Sequence, residues 1–312
     1  MKSSVSFSLN KTFIVNEFLL LLKSFRAHHW IKNLFLFIPI FFAGEIFNFS
    51  KLIDVIVGVI AFCLIASGVY IFNDLFDLKF DRKHPEKSKR PLASGNLSKS
   101  TAIAGFITIV AMGLILAYLL EIKFFIILCI YFAINIAYSI ALKNVSILDV
   151  GLIAIGFVLR IKAGGALAAI YVTEWLNIMV FLLALFMAMG KRRDDLIIKS
   201  SRGTDIRSSI NGYNLQFLTT SMTVILSITL VSYLMYMMSP ATLIKFGTHR
   251  LYYTFLFLMG GVLRYLQIIY LDKKSGSPTL ILYKDRFIQV CILLWVISYT
   301  FIIYFPDFSI LK

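Results

Sequence analysis

Apolar residues run through this chain in long blocks separated by short polar stretches, at 31–48, 52–73, 100–120, 122–142, 147–169, 174–190, 213–238, 249–271 and 287–305. A half-buried helix shows an apolar stripe every three to four residues, whereas these blocks are apolar all round and approach the about 20 residues that cross a bilayer core. The pattern predicts nine transmembrane helices. Ahead of them, residues 1–26 lack the small-residue cleavage site of a signal peptide, and their apolar run is interrupted at Asn16 and Glu17. Phe13 to Phe25 reads as a short amphipathic helix lying on the membrane surface.

Composition agrees with the pattern. Over 312 residues, 59% are hydrophobic and 15% charged, and the mean hydropathy is +0.85, where a soluble domain would carry about one quarter charged residues. The expectation is an all-α polytopic membrane protein in which residues 1–312 form a single domain, with no internal repeat or linker. The formal net charge of +15 is unevenly placed. Threading nine spans puts the basic runs from Lys79 to Lys99 and from Lys191 to Arg207 on the same side as the N-terminus. Lys51, Lys123, Lys245, Arg250 and Lys312 fall on the other. The positive-inside bias therefore predicts a cytoplasmic N-terminus and an outside C-terminus, in a plasma membrane or bacterial inner membrane. Basic residues confined to one membrane face suit anionic headgroups and phosphorylated substrates rather than nucleic acid. Cys63, Cys129 and Cys291 lie inside spans with no CxxC pair and read as inert thiols.

Candidate chemistry gathers where the second span ends, in Asn73-Asp74-Leu75-Phe76-Asp77-Leu78-Lys79-Phe80-Asp81. On an uninterrupted helix Asn73, Asp74, Asp77 and Asp81 fall within an arc of roughly 100°. Three carboxylates on one face repel one another unless a cation sits among them, and an oxygen-only donor set suits Mg²⁺ shared with a phosphate group. The loop that follows is basic, and Lys89 and Arg90 are placed to take the outward oxygens of a metal-borne polyphosphate. At the mouth of the first span, Trp30 and Lys32 read either as an interfacial belt or, with Asn33, as part of a phosphate-binding mouth. Tyr138, Lys143 and Asp149 cluster at the connection between the fourth and fifth spans, and Lys191 and Arg192 sit where the sixth ends. Arg160 lies about 16 Å beyond Asp149 along a helix. A charge at that depth costs at least about 2.5 kcal/mol on insertion scales, so it is expected to face a cavity or a partner. Lys162 and Arg264 carry the same expectation, and the three together would also suit the pathway of a lipid-phosphate transporter.

Asn73-Asp74-x-x-Asp77-x-x-x-Asp81, continued by Arg82-x-His84-Pro85-x-Lys87-x-x-Arg90-Pro91-x-Ala93-x-Gly95, resembles the UbiA superfamily of intramembrane prenyltransferases. The resemblance implies a helical bundle around a central cavity that opens to a cytoplasmic cap, with the aspartates holding Mg²⁺-diphosphate. Typical members carry a second aspartate-rich motif after the sixth span, where this chain has Gly190-Lys191-Arg192-Arg193-Asp194-Asp195. That departure, with His29-Trp30-Ile31-Lys32-Asn33, Tyr138 to Lys143 with Asp149, and Arg160-x-x-Ala163-Gly164, is similar to the branch of decaprenyl-phosphate phosphoribosyltransferases. That branch implies Mg²⁺-dependent transfer of 5-phosphoribose from phosphoribosyl pyrophosphate to a polyprenyl phosphate. Asp74 and Asp77 would be catalytic. Lys32, Asn33, Lys89, Arg90, Tyr138, Lys143, Asp149, Arg160, Lys191 and Arg192 would hold substrate. The acceptor is already an anion near neutral pH, so no strong base is needed, in keeping with a chain whose histidines are His28, His29, His84 and His249. The other outcome within the family is prenyl transfer from a diphosphate to an aromatic or other small acceptor.

Overall fold

The structure, a computed structural model, describes residues 17–84, 86–202, 210, 212–271 and 278–305. The first part of the amphipathic segment, the C-terminus, and much of the basic stretch and turn at 203–209 and 272–277 lie outside the described residues. All regular structure among the described residues is helical. Residues 17–24 form α1. The long helices are α2 (Phe49–Phe76), α3 (Lys99–Leu120), α4 (Ile122–Ile140), α5 (Leu148–Leu167), α6 (Glu174–Arg202), α7 (Leu215–Met238), α8 (Phe255–Tyr270) and α9 (Arg286–Tyr304). Eight helices among the described residues are long and apolar enough to cross a membrane, α8 counting the turn from Arg250 that leads into it.

The first predicted span differs from expectation. Residues Ala27–Phe37 form a 3-10 helix that passes into a five-residue α-helix, Ile38–Phe42, with Pro39 in its first turn. Proline has no N–H to donate, so an α-helical ladder cannot run unbroken through this point. The 3-10 form rises about 2.0 Å per residue against about 1.5 Å for an α-helix, and covers more length with fewer residues.

The chain divides into two compact units, one of residues 1–142 with 159–171, the other of 143–158 with 172–312. In the first unit α2 packs on α3 and α4. Leu36, Ile40, Phe62, Ile65, Phe124, Leu128 and Leu167 are buried together. Gly164 lets the 3-10 segment lie on α5, since a Cβ there would stand 2.0 Å from the Leu36 carbonyl oxygen. A second cluster of Ile71, Leu78, Leu92, Leu97 and Ile109, with Leu20 and Leu21 of α1 against it, lies beneath the end of α2. Glu17 ties α1 to the start of α3 by accepting from Ser98 N–H at 3.1 Å and the Thr101 hydroxyl at 2.5 Å.

In the second unit α6 packs on α7 and α8 on α9, around Phe186, Leu218, Met222, Leu226, Tyr265 and Ile288. Caps fix where these helices begin. Asn214 accepts from Phe217 N–H at 2.7 Å, and Asp285 accepts from Ile288 N–H at 3.0 Å while binding Arg264 Nε and Nη2 at 3.0 and 2.9 Å. Burial raises the Asp285 carboxyl, but Arg264 and the backbone N–H groups of Ile288 and Phe287 outweigh it and hold the acid below its ordinary range.

Candidate active site

The helix carrying the aspartates stops sooner than a continuous wheel requires. α2 ends at Phe76, Asp77 caps it with φ −85° and ψ 7°, and a separate turn, Leu78–Asp81, follows. The Asp77 carbonyl accepts from both Phe80 and Asp81 N–H at 2.9 Å, which starts the new turn. The single carboxylate face expected from the sequence is therefore broken at Asp77. No three His, Cys, Asp or Glu side chains among the described residues gather as a metal-holding group.

Guanidinium groups lie between the carboxylates instead. Asp74 and Asp81 are 4% and 2% exposed, and burying such charges demands partners. Arg90 Nη1 donates to Asp74 Oδ1 at 3.1 Å and to Asp81 Oδ2 at 2.6 Å, Arg26 Nη2 pairs with the same Asp74 oxygen, and Lys87 Nζ stands 4.0 Å from Asp81. Arg90 is presented by a loop anchored through buried Leu92 and Leu97, and the following Pro91 favours its extended backbone, φ −65° and ψ 145°. Lys89, its neighbour, is exposed.

The donor set still suits a hard cation. Asp74 and Asp81 reach one nitrogen of Arg90, so their carboxylates lie close enough to bridge, and Asp77 is half-buried between them in sequence. The side-chain oxygen of Asn73 is buried and has no hydrogen-bond partner among the described residues, an orphan acceptor beside the acids.

Deeper in the first unit, Arg160 and Asn33 meet, although 127 residues separate them. Arg160 Nε donates to Asn33 Oδ1 at 2.9 Å and Nη2 to the Tyr131 hydroxyl at 2.9 Å, with the guanidinium 5.0 and 4.8 Å from the Phe62 and Tyr131 ring centroids. Asn33 in turn donates to Cys63 Sγ at 3.1 Å. Arg160 thus faces polar and aromatic partners, as its depth requires. Tyr131 and Phe62 were not singled out by sequence, since each reads as an ordinary apolar-face aromatic. Lys32 is exposed beside this group, and Tyr138 is half-buried on α4.

In the second unit, Asp149 and Arg192 serve each other. Asp149 is fully buried and Arg192 is 1% exposed. Arg192 Nε donates to Asp149 Oδ2 at 2.6 Å, Nη1 lies 3.3 Å from Asp195, and the Tyr213 hydroxyl donates to Asp149 Oδ1 at 2.7 Å. Tyr213 also accepts from Ile147 N–H at 2.5 Å. Burial, then the hydrogen bond to Asp149, raises the Tyr213 phenol above its ordinary value and keeps it a donor. Arg192 Nε and Nη1 are thus taken by carboxylates, which sequence alone did not indicate. Lys191 is exposed and Lys143 half-buried. This unit also holds an apolar cavity of about 250 Å³ lined by Phe186, Leu226, Tyr265, Cys291 and Trp295 among others. Arg264, expected to lie in a span, is engaged by Asp285, and Lys162 is exposed.

The sequence profile of the UbiA prenyltransferase family matches residues 34–289. A decaprenyl-phosphate phosphoribosyltransferase from Mycolicibacterium smegmatis is 30% identical over 309 residues, covering 91% of this chain and 92% of the relative. One from Corynebacterium glutamicum is 27% identical over 288 residues, covering 91% and 86%. Among solved structures, a UbiA homologue from Archaeoglobus fulgidus bound to DMAPP and Mg²⁺ superposes with a TM-score of 0.66 at 21% identity, over 91% of this chain and 98% of that one.

Proposed function

The chain belongs to the UbiA prenyltransferase family and is a membrane-embedded transferase, and from that premise we propose that it moves 5-phosphoribose from phosphoribosyl pyrophosphate to a polyprenyl phosphate. The observation that carries the reading is the likeness, over nine tenths of this chain, to two proteins named decaprenyl-phosphate phosphoribosyltransferase. It is supported by the basic Lys191-Arg192-Arg193 where typical members of the superfamily carry a second set of aspartates.

In this reaction the bond between ribose C1 and the pyrophosphate oxygen breaks, a phosphate oxygen of the lipid bonds to C1, and pyrophosphate leaves. Asp74, Asp77, Asp81 and Asn73 would hold Mg²⁺, which when bound would neutralise charge on the departing pyrophosphate. Arg90 and exposed Lys89 would take pyrophosphate oxygens. Arg160, oriented by Asn33 and Tyr131, offers a cation in apolar surroundings to an anionic lipid headgroup, and Lys32 adds a second positive charge near the same mouth. The acceptor enters as an anion, so no residue has to act as a strong base. The aspartate end of α2 faces the cytoplasm, where a water-soluble donor is supplied.

The test is a mass spectrum of the lipid product after purified protein meets polyprenyl phosphate and each candidate donor. Product that has gained one phosphoribosyl group, formed only with Mg²⁺, is the expected result, with transfer falling at least about 100-fold in Asp74→Asn or Asp77→Asn while the bundle stays folded. Transfer from a prenyl diphosphate with none from phosphoribosyl pyrophosphate would replace this reading with prenyl transfer.

A further inference from the structure

Arg26 belongs to neither the aspartate motif nor the basic loop, yet it reaches the carboxylates. Its backbone has φ 52° and ψ 52°, the left-handed region that arginine seldom adopts. The cause is the turn that holds it. Ser67 Oγ, fully buried, accepts from Trp30 Nε1 at 3.1 Å and shares its own hydrogen between the carbonyls of Cys63 at 2.7 Å and Phe25 at 3.3 Å. These bonds pin residues 25–30 to α2. The turn so pinned carries the Arg26 guanidinium to 5.1 Å from the Tyr70 ring centroid and onto Asp74 Oδ1, the same oxygen that Arg90 contacts while also bonding Asp81. Two guanidiniums therefore share one carboxylate oxygen, and the left-handed backbone that presents Arg26 to it also caps the helix at 27–37, the Arg26 carbonyl accepting from His29 N–H at 2.8 Å.

We propose that Arg26 and Arg90 are place-holding cations that keep Asp74 and Asp81 closed to free divalent metal and release them only to a metal–diphosphate complex, whose oxygens then take the displaced guanidiniums. The inference rests on the reading of these aspartates as the metal-holding group. A bare metal ion has to break three charge-assisted bonds and leave two guanidiniums facing a dication. A metal ion arriving on a diphosphate brings anionic oxygens of its own, and each guanidinium exchanges a carboxylate oxygen for a phosphate oxygen, which its fork fits equally well. No covalent bond changes in the exchange. The consequence is an order of events: metal and donor enter together, and the free metal alone is held weakly.

The test follows Mn²⁺ binding to the full-length protein by electron spin resonance, first alone and then with inorganic pyrophosphate. The wild-type protein is expected to hold Mn²⁺ at least about tenfold more tightly with pyrophosphate than without it. Arg26→Gln is expected to tighten binding of free Mn²⁺ by about tenfold while weakening the pyrophosphate-dependent binding, two effects of opposite sign that general loss of structure cannot produce together. Arg90→Gln provides the same comparison from the other guanidinium if Arg26→Gln folds poorly. Unchanged or weaker binding of free Mn²⁺ in the variants overturns the place-holding role alone. Failure of the wild-type protein to bind Mn²⁺ even with pyrophosphate overturns the metal-holding reading of the aspartates and this inference with it.

Discussion

Among single residues, Arg90 carries two buried acids at once, and its removal separates structural from solvated basic residues in the same loop. Among the described residues, Arg90→Ala leaves Asp81 with Lys87 at 4.0 Å and Asp74 with Arg26, and stranding a buried carboxylate costs about 3 kcal/mol. Lys89→Ala, one position away and exposed, is expected to change stability by no more than about 0.5 kcal/mol. Thermal unfolding of the two variants in detergent checks the contrast, and equal effects would mean that Arg90 is not the partner its geometry makes it. Legible at this scale was that acids at the end of an apolar block need cations; the cation expected among them was a metal, and the one that meets Asp74 and Asp81 is Arg90, expected instead on phosphate oxygens. Arg26 was not legible, because its place at Asp74 comes from a turn pinned by Ser67, a small polar residue within an apolar helix that gives no sequence signal of such a role. Nor was the break at Asp77, since the wheel assumes that helical dihedrals continue through a cap.

At the scale of elements, the start of α5 and the end of α6 are fastened by Asp149, Arg192 and Tyr213. Tyr213 also holds the N–H of Ile147, whose φ of 71° is unusual for a β-branched residue. Two substitutions test this clasp with opposite signs. Asp149→Asn takes from buried Arg192 the carboxylate that its Nε meets at 2.6 Å and is expected to destabilise the protein by about 3 to 5 kcal/mol. Ile147→Gly removes the Cβ that penalises the left-handed conformation at a side chain that is 60% exposed, and is expected to stabilise by about 1 kcal/mol. Unfolding midpoints decide, and a stable Asp149→Asn variant would return that carboxylate to the pool of substrate-facing groups. The spacing of Tyr138, Lys143 and Asp149 indicated chemistry at a helix connection, but not that Asp149 turns inward to a residue of α6. Hydropathy located α2 to α9 because length and apolarity are what a spanning helix needs. It could not foresee that residues 27–37 adopt a 3-10 helix, since periodicity within a uniformly apolar run does not separate the two helical forms.

For the whole molecule, the decisive question is which membrane face holds the aspartates. Between α2 and α3 the chain carries Lys79, Arg82, Lys83, Lys87, Lys89 and Arg90, and two of these cations contact Asp81 while Arg82, Lys83 and Lys89 are exposed. The opposite ends of the same helices are poorer in uncompensated charge. Lys51, at the start of α2, pairs with Glu45, and the α3–α4 connection places Lys123 two residues from Glu121. Moving several cations across the bilayer against the membrane potential costs about 2.3 kcal/mol per charge per 100 mV, so the strongly basic loop is expected on the cytoplasmic side. A soluble pyrophosphate donor requires the same face, so the charge argument and the chemical one make a single prediction. In a background lacking reactive native cysteines, Lys83→Cys is expected to escape a membrane-impermeant maleimide in intact cells and to react in inverted vesicles. Lys123→Cys should do the reverse. Labelling of Lys83→Cys from outside would place the carboxylates beyond reach of a cytoplasmic donor, and phosphoribosyl transfer from such a donor could not then be the activity of this site.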